Sequence, residues 1–279
     1  MPELPEVETI RRELATQISG RHIQHATVLD PRIIQNLTVR VFEIRLRGAC
    51  ITDLKRRGKY LLLHLGSDVL VLHLMMSGRL HLRPPTDVRP HTRFVATLDQ
   101  DIGLHFVDVR RFGRAWILNA HKLDKLIGRL GPEPLDIDFS WRCLRDGFHG
   151  RRVAVKPALL DQRTVAGIGN IYADEALFAA RIHPETPVSR ISPKKLQSLT
   201  RAIVVALESG ISNQGTTFST FETSQGEPGN NQQHLRVFRR TGEPCVVCNQ
   251  PIRRIVVSQR GTHYCPRCQQ RPRKTQSYE

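Results

Sequence analysis

Long apolar runs are missing from this 279-residue sequence. None approaches the ~20 consecutive residues that a membrane-spanning helix needs. The first residues hold no basic stretch followed by an apolar core, so no secretory leader is expected and a cytoplasmic location is the default. Acidic residues are scarce too: 26 Asp+Glu stand against 42 Lys+Arg, a formal charge of +16. Such a balance points to a polyanion, and no strongly basic amphipathic helix turns it toward a membrane surface. Cysteine is sparse at six residues, two of them (Cys50 and Cys143) apart from the rest, which argues against a disulfide framework. Hydrophobic residues make up 39%, enough for a packed core and, at this length, for more than one domain.

The charge is concentrated. Residues 236–279 hold ten Lys+Arg against Glu243 and Glu279, a local balance of +8, half of the total. Within that stretch Cys245-Val-Val-Cys248 and Cys265-Pro-Arg-Cys268 form two close thiol pairs sixteen residues apart. This is the ligand spacing of a tetrahedral zinc site made of four soft donors. Strands are expected at Ile252–Val257 and Thr262–Tyr264 around a turn at Gln259-Arg260-Gly261. A hairpin so small cannot bury enough surface to fold alone, whereas structural zinc contributes on the order of 10–16 kcal/mol in finger peptides. One structural zinc ion is therefore expected on Cys245, Cys248, Cys265 and Cys268, with Arg260 at the tip of a basic finger.

At the other end the chain reads Met1-Pro2-Glu3-Leu4-Pro5-Glu6-Val7-Glu8. Val7, Ile10, Leu14 and Ile18 recur at steps of three and four, an amphipathic helix opened by Pro5 and closed by Gly20. Removal of Met1 would place a secondary amine at the N-terminal end of that helix. A terminal amine titrates near ~8 and lysine near ~10.4, so its neutral, nucleophilic fraction at pH 7 is larger by roughly two orders of magnitude. Prolyl nitrogen is more basic than a primary amine, which trims this gain. The helix terminus favours the neutral form and Glu3 and Glu6 the charged one. Sequence leaves the net sign open.

Between the ends, runs at Val41–Arg47, Cys50–Arg56, Tyr60–Leu65, Val69–Leu74, Arg93–Leu98, Ile102–Val107 and Ala115–Leu118 have strand character. Short strands with tight turns suggest a sandwich rather than βαβ units. Gly131-Pro132-Glu133-Pro134 marks a boundary. Helices are expected after it at Pro157–Asp161, Ile171–Arg181 and from Ser192-Pro193 to Gly210, followed by a polar segment, Gln214–Gln233.

Together these features resemble the formamidopyrimidine-DNA glycosylase family, from Pro2 through Cys268. The carriers are the opening octapeptide with Thr9, Arg57-Gly58-Lys59-Tyr60-Leu61, His73-Leu74-Met75-Met76-Ser77-Gly78, Arg110-Arg111-Phe112-Gly113, Gly131-Pro132-Glu133-Pro134-Leu135, Gly167-Ile168-Gly169-Asn170-Ile171-Tyr172-Ala173 and the four-Cys finger. The resemblance implies a multidomain α and β protein. Its parts are an N-terminal β-sandwich flanked by the first helix (1–131), a helix–two-turn–helix domain with a lesion-capping loop (132–235), a zinc-finger β-hairpin (236–270) and a basic tail (271–279).

The resemblance also implies a bifunctional glycosylase and lyase of base excision repair, a monomer associated with the nucleoid, acting on double-stranded DNA that contains oxidised purines. Pro2 would attack C1′ of the damaged nucleotide and form a Schiff base, Glu3 would move protons at the sugar, and Lys59 and Arg260 would complete the catalytic set. His91, Arg110, Arg152 and Asn170 match family DNA contacts. Met76, Arg110 and Phe112 match the residues that fill the gap left by an extruded nucleotide. Met75 departs from a common Gly, Val109 from a common Pro and Phe238 from a common Tyr. Two other readings stand beside this one: the related endonuclease VIII type, which prefers oxidised pyrimidines, and a non-catalytic zinc-finger DNA-binding protein. Leu4, Arg110 and Phe112 argue against the first, and the opening residues and Lys59 against the second.

Overall fold

The computed structural model describes residues 1–271; the expected tail lies outside them apart from Arg271. The chain divides into two compact units, one comprising residues 1–129 and 210–233, the other residues 130–209 with 234 onward. The polar segment that the sequence attaches to the helical region thus belongs with the N-terminal sheets.

In the first unit, α1 (Leu4–Ile18) is followed by β1 (Ile23–Val28), α2 (Val39–Leu46) and the strands β2 (Asp53–Arg57), β3 (Tyr60–Leu65), β4 (Asp68–His73), β5 (Gly78–Arg83), β6 (Thr92–Leu98), β7 (Ile102–Asp108) and β8 (Arg114–Asn119), then α3 (Ala120–Ile127). The strands form two antiparallel sheets of order β1-β6-β7-β5 and β2-β3-β4-β8. Leu61, Leu63, Leu70 and Leu72 of one sheet share a core with Leu80, Phe94, Leu104 and Phe106 of the other, which makes the pair the expected sandwich. Val7, Ile10, Leu14 and Ile18 of α1 enter the same core fully buried. Each such side chain contributes about 1.5–3 kcal/mol relative to exposure, so packing rather than propensity holds the helix.

One expected strand is a helix. Val41–Arg47 falls in α2, where the Thr38 hydroxyl accepts a hydrogen bond from the Val41 N–H (3.4 Å) and Phe42 and Leu46, four apart, are buried. Its β-branched residues mislead because Val41 and Ile44 face outward. The run from Cys50 becomes a strand only at Asp53. Strands β1 and β5 and helix α3 were not read from the sequence, and neither was α4 in the second unit.

The second unit contains α4 (Trp141–Phe148), α5 (Val155–Leu160), α6 (Asn170–Ala179), most of α7 (Pro193–Ser212) and the hairpin of β9 (Arg253–Val257) and β10 (Arg260–Tyr264). The turns between α5 and α6 are built by Gln162. Its side chain donates to the Ile168 carbonyl (2.8 Å) and accepts from the Gly167 N–H (2.9 Å). No helix among the described residues is long and apolar enough to cross a membrane.

Candidate active site

In the first unit the chain start is set into the protein. Pro2 is buried, Glu3 is the N-cap of α1 and the Glu6 carboxylate accepts from the Glu3 N–H (2.8 Å) through one oxygen and from the Thr216 N–H (2.8 Å) through the other. The terminal amine, carried here by Met1, is held below its ordinary pKa. Burial is the largest cause and prevails over the opposing charges of Glu3 and Glu6; the smaller effects of Lys59 and Arg110 act in the same direction as burial. For the amine on Met1 the balance thus lies toward the neutral form.

Lys59 is buried, beside Gly58 in the tight turn between β2 and β3. That turn is anchored from α1. Glu8 lies 3.0 Å from the Arg56 guanidinium, which also donates to the Gly58 carbonyl (3.1 Å). Burial, the largest single influence, raises the pKa of this carboxylate, but Arg11 and Arg12 pair with it and bring it below its ordinary value.

Asp108, at the end of β7, organises a second group. Its carboxylate accepts from the Ser77 hydroxyl, the Arg110 N–H (3.2 Å) and the Gly113 N–H (2.6 Å), and its own N–H donates to the His91 carbonyl (2.9 Å). One buried acid therefore ties together the loops that carry His91, Met76, Arg110 and Phe112. Met76 is partly exposed rather than part of the core, and Phe112 is 44% exposed with the Arg110 guanidinium 4.8 Å from its ring centre. Met75 and Arg111 take left-handed backbone angles (φ 52° and 60°), a conformation that explains why glycine would suit position 75. Gly113 must be glycine, since a Cβ there would lie 2.5 Å from the Phe106 ring.

In the second unit a buried network positions the hairpin. Lys156 Nζ lies 2.6 Å from Asp174 Oδ1 and donates to the Gly261 carbonyl (3.0 Å) and the Thr262 hydroxyl (2.9 Å). Asp174 also accepts from the His263 N–H (2.8 Å), and the Asn170 amide donates to the same Gly261 carbonyl (3.0 Å). Asn170 at the start of α6 is thereby joined to the residue next to Arg260. Arg260 itself is exposed after a turn in which Ser258 and Gln259 have φ of 46° and 62°. Phe238 packs edge-on against His263, with ring centres 4.9 Å apart. Arg152 is exposed ahead of α5, beside a basic hollow of about 420 Å³ that Arg145 and Arg151 help to line.

The four thiols of Cys245, Cys248, Cys265 and Cys268 lie within 4.8 Å of one another. The Sγ separations of 3.5 Å (Cys248–Cys265 and Cys248–Cys268) and 3.9 Å (Cys245–Cys268) match the edge of about 3.8 Å in a tetrahedron with ~2.3 Å zinc–sulfur bonds. Backbone N–H groups of Val247 and Cys268 point at Cys245 and Cys265 sulfur (3.4 Å each), which favours thiolates. Gln269, next after the last of these cysteines, is buried. It accepts from the Cys265 N–H (2.9 Å) and donates to the Ile182 carbonyl (2.9 Å), so it belongs to the finger.

Three family models match the chain: the formamidopyrimidine-DNA glycosylase N-terminal domain over residues 1–115, its H2TH domain over 130–222, and the zinc finger found in that enzyme and in IleRS over 242–271. A formamidopyrimidine-DNA glycosylase from Symbiobacterium thermophilum is 45% identical over 275 residues, 98% of this chain and 90% of the relative. The chain belongs to the formamidopyrimidine-DNA glycosylase family. Among solved structures, a Lactococcus lactis member in complex with abasic-site DNA has TM-score 0.90 and 36% identity, covering 96% of this chain and all of that one. A MutM complex with DNA containing carbocyclic 8-oxo-G also has TM-score 0.90, at 35% identity, covering 97% of this chain and all of that one.

Within this formamidopyrimidine-DNA glycosylase family member, Asp108, Lys156, Asp174 and the Glu8–Arg56 pair escaped sequence reasoning. Glu8 with Arg11 and Arg12 reads as an ordinary solvated helix face, and Asp108 as one acid before a basic loop. Only a lysine placed within an apolar stretch, Val155-Lys156-Pro157-Ala158-Leu159, could have hinted at the buried pair.

Proposed function

We propose that this chain is a bifunctional DNA glycosylase and AP lyase of base excision repair that excises oxidised purines, with the Pro2 nitrogen as nucleophile. The observation that supports the reading is the chain start: Pro2 is buried, and the amine ahead of it on Met1 is held toward its neutral form chiefly by burial, within reach of the charges of Glu3, Glu6, Lys59 and Arg110. An enzyme that attacks C1′ must first extrude the nucleotide from the duplex, at a cost of a few kcal/mol. Met76 and Phe112 supply apolar wedges for the vacated space and Arg110 a guanidinium for the orphaned base.

The neutral amine attacks C1′ as the glycosidic bond breaks, and the base leaves with the bonding electrons and is protonated. Loss of the amine proton and opening of the sugar ring give the iminium, with Glu3 moving protons at the ring oxygen. Loss of a C2′ proton expels the 3′ phosphate, and a second elimination expels the 5′ phosphate. Lys59 serves in this reading as a general acid or holds a phosphate. Arg260 and Asn170, joined through Gly261, grip DNA phosphates in this reading, and Arg260 assists the second elimination. His91 and Arg152 add DNA contacts. Zinc, when bound, fixes the hairpin that carries Arg260; four cysteine ligands leave it no open position for chemistry. We read the protein as a cytoplasmic monomer that reaches the nucleoid through its affinity for DNA.

Borohydride reduction on a duplex with a single 8-oxoguanine tests the reading. The processed protein should give a covalent adduct that maps to Pro2, and a chain with a tag fused ahead of Pro2 should give none, because an acylated proline nitrogen has no lone pair for attack. An adduct at a lysine, or base excision by the tagged chain, would contradict the assignment.

A further inference from the structure

The segment Gln214–Gln233 is tied down at two places by carboxylates of α1. Thr216 donates its N–H to Glu6, and Ser224 donates both its N–H (2.7 Å) and its hydroxyl (2.8 Å) to Glu13. Between those ties the segment lies against β5. Arg79 Nε donates to the Thr220 carbonyl (2.6 Å), and another nitrogen of the same guanidinium lies 2.8 Å from Glu222 Oε1. His81, two residues along the same face of β5, has Nε2 3.1 Å from Glu222 Oε2 without the alignment of a hydrogen bond, and burial with the neighbouring arginines pushes its pKa down to about 4, so its ring is neutral. The rest of this face is basic. Arg83 and Arg89 line the adjoining hollow of about 550 Å³, and both lie beside Asp87 (4.0 and 2.9 Å). Asp87 is thus engaged elsewhere, and Glu222 is the carboxylate that faces Arg79.

We propose that Glu222 is a positioning residue, a charge latch that closes onto Arg79 and holds the middle of this segment against β5. The inference rests on the reading of the segment as the lesion-capping loop. A latched loop keeps its backbone in one arrangement over an extruded base, while an unlatched loop divides among several, and only the competent fraction contributes to excision. An abasic sugar has no base to cap, so cutting at abasic sites does not draw on the latch.

The partners are 20% and 30% exposed in their side chains, and pairs of this kind are worth up to about 1 kcal/mol, which corresponds to roughly fivefold. Glu222→Gln should therefore lower excision of 8-oxoguanine about fivefold relative to cutting at an abasic site, both measured in single turnover. Arg79→Gln should do the same, and the double variant should add little to either. A ratio unchanged in Glu222→Gln, or both activities falling in parallel, would overturn the latch. Limited proteolysis of the full chain without DNA reads it independently of catalysis. Cleavage within 214–233 should be about fivefold faster in Glu222→Gln, and equal rates would overturn the proposal even if the wild-type protein showed no glycosylase activity at all.

Discussion

Asp108 ties together the loops of four side chains proposed to meet DNA, without touching any of their tips. Its carboxylate takes three hydrogen bonds from two loops, and its backbone takes a third loop through His91. His73 acts at the same scale. Its Nδ1 accepts the Met75 N–H (3.0 Å), which requires an unprotonated ring, and burial together with the charges of Lys59 and Arg114 pushes its pKa down to about 4. An unfolded histidine titrates near 6.5, so between pH 6.5 and 4 the unfolded chain binds a proton that the folded one refuses. The stability His73 permits is complete above pH 6.5 and is lost as pH falls toward 4, by up to about 3 kcal/mol, less for the solvent contact the residue keeps. Urea unfolding at pH 7 and pH 5 should show this loss, and His73→Gln should reduce the difference.

At the scale of elements, the hairpin is secured twice. Lys156 and Asp174, both almost wholly buried, bind its turn-proximal end through Gly261, Thr262 and His263. Removing one member of a buried pair strands the other, at a cost of about 3–5 kcal/mol. Lys156→Met should therefore destabilise the protein by that order in urea unfolding, and the double variant with Asp174→Leu should recover part of the loss. The four cysteines secure the far end. Chelation should release one zinc ion per chain and abolish specific DNA binding; retained affinity after complete metal removal would contradict the role given to the finger. The finger was legible in the sequence because its ligands are close in the chain. Helix α2 was not, since a run of eight residues with Val39, Val41 and Ile44 favours a strand locally and is decided by which side meets the core.

For the whole molecule the charge of +16 sets the partner and its salt dependence. Affinity for undamaged duplex should fall linearly on a log–log plot against salt concentration, each phosphate neutralised contributing a slope of about −0.9. Arg260→Ala should flatten that slope by about one, measured by fluorescence anisotropy across a salt series; an unchanged slope would remove Arg260 from the phosphate contacts. The division of the chain into two compact units, with residues 210–233 returned to the first, was hidden from a linear reading. A polar segment without periodicity says nothing of where it docks, and its anchors, Glu6, Glu13 and Arg79, are more than a hundred residues away in the chain.

What this sequence determined alone is chemistry that lies close together along the chain: the proline at the start with its neighbouring acids, the helix behind it, the two thiol pairs and the basic excess. Each is local, so spacing and composition suffice to read it. What the tertiary structure decided is the protonation and placement of those groups. Whether the starting amine is neutral depends first on burial, set against Glu3 and Glu6, and whether the loops that carry Met76, Arg110 and Phe112 converge depends on Asp108. Those energies belong to contacts between distant residues in a medium of low dielectric, which no linear pattern records.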